Sequence, residues 1–351
     1  MPDETTLGPE CPVPQSLDAD LVTLAYGEGG RLSRQFVRER ILTRLANPTL
    51  AVLGDSAMLT ASHQLAMTTD GYTVTPLVFP GGDIGRLAVC GTVNDLAVCG
   101  ATPRWLSLGL IIEEGLSWAT LDGILDSVRD TARETGITVV TGDTKVVPRG
   151  AADRLFLTTT GLGEFVTPPF AGPQSLLPGD LLIVSGPIGL HGTAVLCARE
   201  GLEFDPEPVS DCANLAPPLL ALSAAKIPPR AARDATRGGV AAVLHEWTTA
   251  AGVGIEIDEA RLPVSPTVRA VCELLGLDPL FLACEGTFVA AVHPDRAEAT
   301  LAELRQHTVS RGATVIGQVT EPRAVPVCIR RAAGRLVPLD EPAGSPLPRI
   351  C

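Results

Sequence analysis

The stretch SWATLDGILDSVRDTARETGITVVTGDTK, residues 117–145, carries the two periodicities that decide the fold. Apolar residues recur every three or four positions from 117 to 134, which predicts an amphipathic helix, and Gly136 supplies its stop. The apolar run 137–141 predicts a buried strand that delivers Gly142 to Lys145 as a loop. The stretch therefore indicates a domain that mixes helices and strands.

The same mixture continues on both sides of this stretch, without strict alternation of strand and helix. This pattern favours the α+β class. The Pro- and Gly-rich residues 167–173 are the best candidate for a domain boundary. The predicted organisation is a loose leader over residues 1–20, an N-terminal domain over 21–166, a C-terminal domain over 174–338 and an extended, mobile tail over 339–351.

Length and charge limit the classes of function. The chain has 351 residues, 45% of them hydrophobic, which is enough for two packed domains. Its formal net charge of −13 argues against nucleic acid or an anionic membrane as the main partner. There is no apolar run of about 20 residues and no signal peptide pattern at Met1, so we expect a cytoplasmic protein that does not span a membrane.

The nine cysteines and five histidines do not indicate a metal cluster. The cysteines are scattered, form no C-x-x-C pair and often lie in apolar stretches, as buried cysteines of a reducing compartment do. The histidines are isolated from one another and from the cysteines. We therefore expect neither a disulfide framework nor a His/Cys metal site.

Five aspartates of the first half stand beside glycines or at the start of a helix. Such positions are also ordinary turns and caps, which is the commoner explanation for any single one. Five within about ninety residues instead suggest hard oxygen ligands for a Mg²⁺–nucleotide complex, and the chain has no P-loop motif. The five are Asp55, Asp70, Asp83, Asp95 and Asp143.

Two further residues are candidates for catalysis. Lys145 is one of only two lysines, the other being Lys226, so it is either an exposed loop residue or a charge kept for function. Glu285 follows an apolar run, and a carboxylate in an apolar pocket has a raised pKa and can serve as a base. A strand-end carboxylate facing water is the alternative for Glu285.

The last residue, Cys351, ends a Pro-rich tail of about a dozen residues. A thiol there could reach on the order of 35–40 Å from its anchor. Such a thiol suits a group that is carried from one site to another, although a terminal cysteine also arises by chance.

Several motifs, spread over nearly the whole chain from about residue 21, resemble those of one family, the HypE maturation enzymes of [NiFe]-hydrogenases. The motifs are FPGGDIG (79–85), GTVND (91–95), TGDTKVV (141–147), DATRGGV (234–240), Glu285-Gly286 and the terminal PRIC (348–351). One departure is Tyr26, where the family usually has a histidine.

The resemblance implies a two-domain fold like that of aminoimidazole ribonucleotide synthetase (PurM-like), paired as a homodimer. It also implies ATP and Mg²⁺ as cofactors, HypF as carbamoyl donor and a HypC–HypD complex as cyanide acceptor. The implied reaction is ATP-dependent dehydration of a carbamoyl group on Cys351 to a thiocyanate, with Lys145 and Glu285 as further catalytic residues. The implied nucleotide-binding residues are Asp70, Asp83, Asn94, Asp95, Thr141, Gly142 and Asp143, and the implied metal ligands are Asp55, Asp70, Asp95 and Asp143.

Two other functions remain open from the residues. An enzyme of the same fold could act on a free small molecule, as a ribonucleotide cyclo-ligase or a selenophosphate synthetase does, without needing a terminal cysteine. A non-catalytic scaffold or metallochaperone could use Cys351 as a metal ligand, but one thiol alone is a poor metal site.

Overall fold

The structure is a computed structural model that describes residues 20–26, 30–52, 56–331 and 334–341. The leader before residue 20, Asp55 and Cys351 lie outside the described residues, as do residues 342–350 of the predicted tail. Within the described part of the chain, no helix is both long enough and apolar enough to cross a membrane.

The first half begins with a helical segment, residues 30–45, and builds one four-stranded sheet. Its elements are α1 (Gly30–Phe36), a π-helical turn (Val37–Leu42), α2 (Thr43–Leu45), β1 (Leu65–Tyr72), β2 (Val78–Phe79), β3 (Gly82–Asp83), α3 (Ile84–Val98), β4 (Thr102–Glu113), α4 (Trp118–Thr135), β5 (Thr138–Val147) and β6 (Leu155–Glu164). The strand order is β1-β6-β4-β5, with only the β4–β5 pair parallel.

The two long helices of this half cover one face of the sheet. The predicted helix after Ser117 is confirmed: the Ser117 side chain accepts a hydrogen bond from the N–H of Thr120, and Gly136 ends the helix with φ 73°. Helix α3 is buried along nearly its whole length and packs against both β1 and β6. Side chains on the α3-facing side of β1 and β6 therefore lie between the helix and the sheet.

Strand β5 differs from the prediction. We expected the strand to end at Thr141 and residues 142–145 to form a loop, but β5 continues to Val147 in parallel register with β4. The glycine is tolerated because its bare Cα lies against the neighbouring strand: a Cβ on Gly142 would lie 2.2 Å from the main-chain oxygen of Leu108. The candidate residues Asp143 and Lys145 thus lie on a strand at the edge of the sheet.

The second half builds a seven-stranded sheet in the order β13-β12-β9-β11-β7-β10-β8. Its elements are β7 (Leu181–Val184), α5 (Leu190–Glu200), α6 (Ala216–Ala224), β8 (Ala231–Asp234), α7 (Gly239–Ala251), β9 (Gly254–Asp258), α8 (Pro266–Leu275), β10 (Phe288–Val292), α9 (Ala297–Leu304), β11 (Thr314–Thr320), β12 (Val327–Arg330) and β13 (Leu336–Pro338). Leu339, the first residue of the predicted tail, is still packed in this half.

The largest cluster of buried apolar side chains contains residues of both halves, and the second half has further clusters of its own. Helix α3 of the first half packs against α6 of the second, and Leu215 and Leu219 belong to the same cluster as Leu87 and Val93. Burial of each such side chain stabilises the fold by about 1.5–3 kcal/mol. The predicted α+β class is confirmed by these mixed helices and sheets, while the domain bounds themselves stay a prediction.

Candidate active site

A narrow acidic cleft lies where α3, β1 and the second half meet. It has room for about 30 Å³, the volume of roughly one water molecule. Four carboxylates line it together with Arg237, whose Nη2 lies 3.7 Å from Oδ1 of Asp70. The four are Asp70, Asp95, Asp234 and Glu285.

Burial and mutual repulsion raise the pKa of three of these carboxyl groups, those of Asp95, Asp234 and Glu285. Burial raises the pKa of Glu285 well above its usual range, and the Asp234 carboxylate raises it further. Burial, with Asp95 beside it, raises the pKa of Asp234 to about 7. The pKa of Asp95 is raised by burial as well, although Thr68 opposes this by donating a hydrogen bond of 2.6 Å to its Oδ2. The cleft is therefore suited to accept a cation or to move protons.

The donor set fits Mg²⁺, which prefers carboxylate oxygens. Among the described residues, however, no three acidic, His or Cys side chains already converge closely enough to hold a metal ion. Asp70 and Asp95 share the cleft, whereas Asp143 lies on the opposite edge strand. The predicted set of Asp55, Asp70, Asp95 and Asp143 is thus not assembled within one chain, as far as the described residues go.

A second cavity, of about 570 Å³, runs along β5 and is closed on its other side by the helical segment 30–45 and by Tyr26. Seven consecutive residues of β5, 139–145, line it. Side chains alternate between the faces of a strand, so a run of consecutive lining residues means that the cavity follows the main chain at the edge of the sheet. An edge strand offers N–H and C=O groups that have no neighbouring strand.

Thr141, Gly142, Asp143 and Lys145 all lie at this second cavity. Lys145 and Asp143 form an exposed pair, with 3.4 Å between Nζ and Oδ2 and with about two thirds of each side chain accessible (65% and 71%). Such an exposed pair contributes little to stability. Both charges are therefore available to a bound group.

Tyr26, which stands where the resembling family has histidine, forms part of the cavity wall. Its ring packs edge-on against Trp118 and Phe36, at centroid distances of 5.0 and 6.2 Å. Tyr26 thus belongs both to the cavity wall and to an aromatic cluster with Phe36 and Trp118.

Two predicted nucleotide ligands have other contacts. Asp83 caps α3, its Oδ1 accepting the N–H of Arg86 at 2.9 Å. The side-chain amide of Asn94 is fully used inside the protein, where it contacts residues of the second half. We therefore leave Asn94 out of the nucleotide site.

The sequence analysis missed Asp234 and Arg237 as site residues, although both lie in the motif DATRGGV (234–240). Asp234 ends β8 and is followed, after three intervening residues, by Gly238 and Gly239, so it is a strand-end aspartate before a glycine-containing turn. Its position at the end of a strand is the sequence feature that could have identified Asp234 as a site residue.

Comparison with known proteins agrees with this arrangement. Residues 53–165 match the family "AIR synthase related protein, N-terminal domain", and residues 178–328 match "AIR synthase related protein, C-terminal domain". The two-domain PurM-like fold expected from the motifs is therefore confirmed.

Several relatives that match nearly the whole chain are named HypE. The carbamoyl dehydratase HypE of Escherichia coli is 49% identical over 94% of this chain and 99% of its own. A crystal structure of the hydrogenase maturation protein HypE in complex with ATP is 42% identical, with a TM-score of 0.90 over 94% of this chain and 99% of its own. A HypE–HypF complex is 41% identical, with a TM-score of 0.76 over 88% of this chain and 99% of the matched chain. This chain belongs to the HypE family of carbamoyl dehydratases.

Proposed function

We propose that this chain dehydrates a carbamoyl group carried on its own Cys351, using ATP, and that the resulting thiocyanate donates the cyanide ligand of the [NiFe]-hydrogenase iron. The observation that carries the proposal is Glu285, a buried carboxylate with a raised pKa in an acidic cleft at the junction of the two halves. Membership of the HypE family favours this substrate over a free small molecule.

The reaction balances as two steps. The carbamoyl group is bonded through its carbon to the cysteine sulfur. Its oxygen attacks the γ-phosphorus of ATP, releasing ADP, and one N–H proton is lost. The remaining N–H proton then leaves as the C–O bond breaks, which releases phosphate and forms the C≡N bond. The oxygen of the lost water thus leaves in phosphate, a far better leaving group than hydroxide.

The residues divide between the two cavities. Glu285 accepts the N–H proton, because burial raises its pKa and so makes its carboxylate a stronger base. Lys145 orients the amide oxygen or the phosphoryl group. The open edge of β5 binds the nucleotide through the main chain of Thr141 and Gly142, and the exposed carboxylate of Asp143 would complete the Mg²⁺ site.

Asp70 and Asp95 would hold Mg²⁺, with Asp234 beside them in the same cleft. A bound Mg²⁺ ion supplies charge neutralisation for the phosphoryl groups. Asp83, the cap of α3, contributes through the placement of that helix rather than as a ligand.

A homodimer completes the site. The acidic cleft lies at β1 and the nucleotide cavity at β5, on opposite edges of the first sheet. A second copy placing its β5 edge against the β1 side of the first would bring the nucleotide phosphates to the carboxylates. The distance across the sheet within one chain supports this arrangement.

The partners follow from the chemistry of the carried group. HypF is the proposed carbamoyl donor, since a relative forms a HypE–HypF complex. A HypC–HypD complex is the proposed acceptor of the cyanide. The cytoplasm is the proposed location, as expected from the sequence.

The proposal is tested by single-turnover dehydration of the carbamoylated protein with Mg-ATP. Glu285→Gln and Lys145→Ala are each expected to slow thiocyanate formation by about 10²-fold or more. Lys226→Ala is the matched control, because the other lysine of the chain does not line either cavity. Wild-type rates in both site variants would show that these residues do not act in the reaction.

A further inference from the structure

Glu285 lies in a segment with no regular secondary structure, between Leu282 and β10. Only 3% of its surface is accessible. A buried main chain outside a helix or sheet must find hydrogen-bond partners elsewhere. The groups that supply them also decide where the Glu285 carboxylate points.

Both main-chain polar groups of Glu285 are held by residues far away in sequence. Its N–H donates a hydrogen bond of 3.1 Å to Oδ1 of Asp211. Its C=O accepts from Nδ2 of Asn94 and from the N–H of Ala213, each at 3.3 Å. One residue is thus clamped by side chains from both halves of the molecule.

Asn94 brings α3 of the first half into this clamp. The residue is buried, with 1% of its surface accessible. Its Nδ2 also donates to the C=O of Ala213 at 3.0 Å, and its Oδ1 accepts the N–H of Leu215 at 2.8 Å. The amide therefore ties the segment 213–215 and Glu285 to the same helix that carries Asp95 of the cleft.

Close approach of the main chains explains the glycine that follows. A Cβ on Gly286 would lie 1.8 Å from the main-chain oxygen of Asp211, so no side chain fits at this position. The segment holding Asp211 is therefore in direct contact with the segment holding Glu285.

Asp211 is retained at an energetic disadvantage. The residue as a whole is only partly buried, but its Oδ2 is buried and has no hydrogen-bond partner among the described residues, and desolvation raises its pKa to about 6. An unpaired buried carboxylate oxygen destabilises a fold unless it serves some other purpose. The main-chain N–H of Glu285 donates to Oδ1 of Asp211, and the main-chain groups of Gly286 and His191 also lower the pKa of Asp211.

We propose that Asp211 and Asn94 are positioning residues that hold the main chain of Glu285 so that its carboxylate stays in the acidic cleft. The proposal rests on the proposed function, in which Glu285 is the base. Because Asn94 belongs to α3 and Asp211 to the second half, the base is placed correctly only when the two halves are packed together.

The test compares two substitutions at one position in the full-length carbamoylated protein. Asp211→Ala leaves the N–H of Glu285 without an acceptor, and it is expected to slow single-turnover dehydration by about tenfold or more while the Kd for ATP stays within about twofold. Asp211→Asn keeps an oxygen acceptor and is expected to remain within about threefold of wild type. Asn94→Ala is expected to behave as Asp211→Ala does.

Asp180→Ala is the matched control. Asp180 is a buried aspartate of the second half, where it accepts from the N–H of Leu177 and pairs with Arg230 at 2.9 Å, away from the cleft. Its loss is expected to lower stability without slowing the reaction of folded protein. If Asp211→Ala does not fold, Asp211→Ser withdraws the acceptor with a smaller change.

The outcomes separate the two claims. If Glu285→Gln is inactive while Asp211→Ala reacts at the wild-type rate, or if Asp180→Ala slows the reaction equally, the positioning role is overturned. If Glu285→Gln itself reacts at the wild-type rate, the proposed role of Glu285 fails first. Loss of rate in Asp211→Ala with recovery in Asp211→Asn supports positioning.

Discussion

Asp70 and Gly142 lie at the same level of the first sheet on its two opposite edge strands. The register runs from Asp70 through Thr159 and Leu108 to Gly142. Three strand spacings separate them, or roughly 14 Å. Since a ligand–Mg²⁺ bond is only about 2 Å long, Asp70 and Asp143 of one chain cannot share an ion. In the proposed homodimer, a second chain would bring the β5 edge with its nucleotide to the carboxylates of the cleft.

Mixed dimers test this composite site. Asp143→Ala and Asp70→Ala chains are each expected to be inactive alone. When the two are mixed and allowed to exchange subunits, half of the dimers are heterodimers, and each heterodimer has one intact site of two. We expect about a quarter of the wild-type rate to return. A mixture that stays inactive after exchange has been verified would indicate that each chain forms its own site.

A substitution at Gly142 is expected to weaken nucleotide binding. A Cβ there would lie 2.2 Å from the main-chain oxygen of Leu108, so β5 must move outward. We expect Gly142→Ala to raise the Kd for ATP by about tenfold, equivalent to about 1.4 kcal/mol, measured by calorimetry. Gly123→Ala on α4 is the control, because a Cβ at that position meets nothing within 4 Å. Equal ATP affinity in both variants would place the nucleotide elsewhere.

Asn94→Ala is expected to reduce stability. The substitution removes three hydrogen bonds and leaves buried main-chain groups of Leu215 and Ala213 with fewer partners. We expect the free energy of unfolding in urea to fall by about 2–4 kcal/mol. Unchanged stability with much weaker ATP binding would restore Asn94 to the nucleotide site predicted from the sequence.

The raised pKa of Asp211 predicts a pH dependence of stability. An aspartate of the unfolded chain titrates near pH 3.9, whereas burial raises the folded pKa of Asp211 to about 6. The folded state therefore binds this proton more tightly. Stability due to Asp211 is greatest below about pH 4, falls as pH rises to about 6 and then stays constant, a loss of about 3 kcal/mol.

Asp211→Asn removes this titration, so the wild-type unfolding free energy minus that of the variant should decline between pH 4 and 6. Urea unfolding of both proteins at several pH values measures the difference, in which other carboxylates cancel. A difference that does not vary with pH contradicts the burial of a titrating Asp211.

Much of the fold followed from local patterns. The helix after Ser117 carries its cap, its apolar face and its terminal glycine within 20 residues, so its bounds could be predicted closely. Strand β10 (Phe288–Val292) is likewise a short, wholly buried apolar run of the kind that a local pattern indicates. The continuation of β5 through Gly142 was missed because pairing with β4, which is distant in sequence, overrides the local turn signal of Gly-Asp.

The site was predictable only in part for the same reason. Asp70, Asp95 and Glu285 were singled out and do share the cleft. That Asp143 lies on the far edge of the sheet depends on strand order, which no local pattern encodes. Asp211 has no motif of its own, since its importance arises from a contact with Glu285 across 74 residues of chain.

The central claim, that Cys351 carries the group that is dehydrated, is tested most directly by mass spectrometry of the intact protein and its C-terminal peptide. The protein is incubated with a carbamoyl donor system, with and without Mg-ATP. The account predicts a carbamoyl adduct on Cys351 that loses one water only when ATP is present. An unmodified Cys351, with ATP consumed on a free metabolite, would contradict the function while leaving the fold in place.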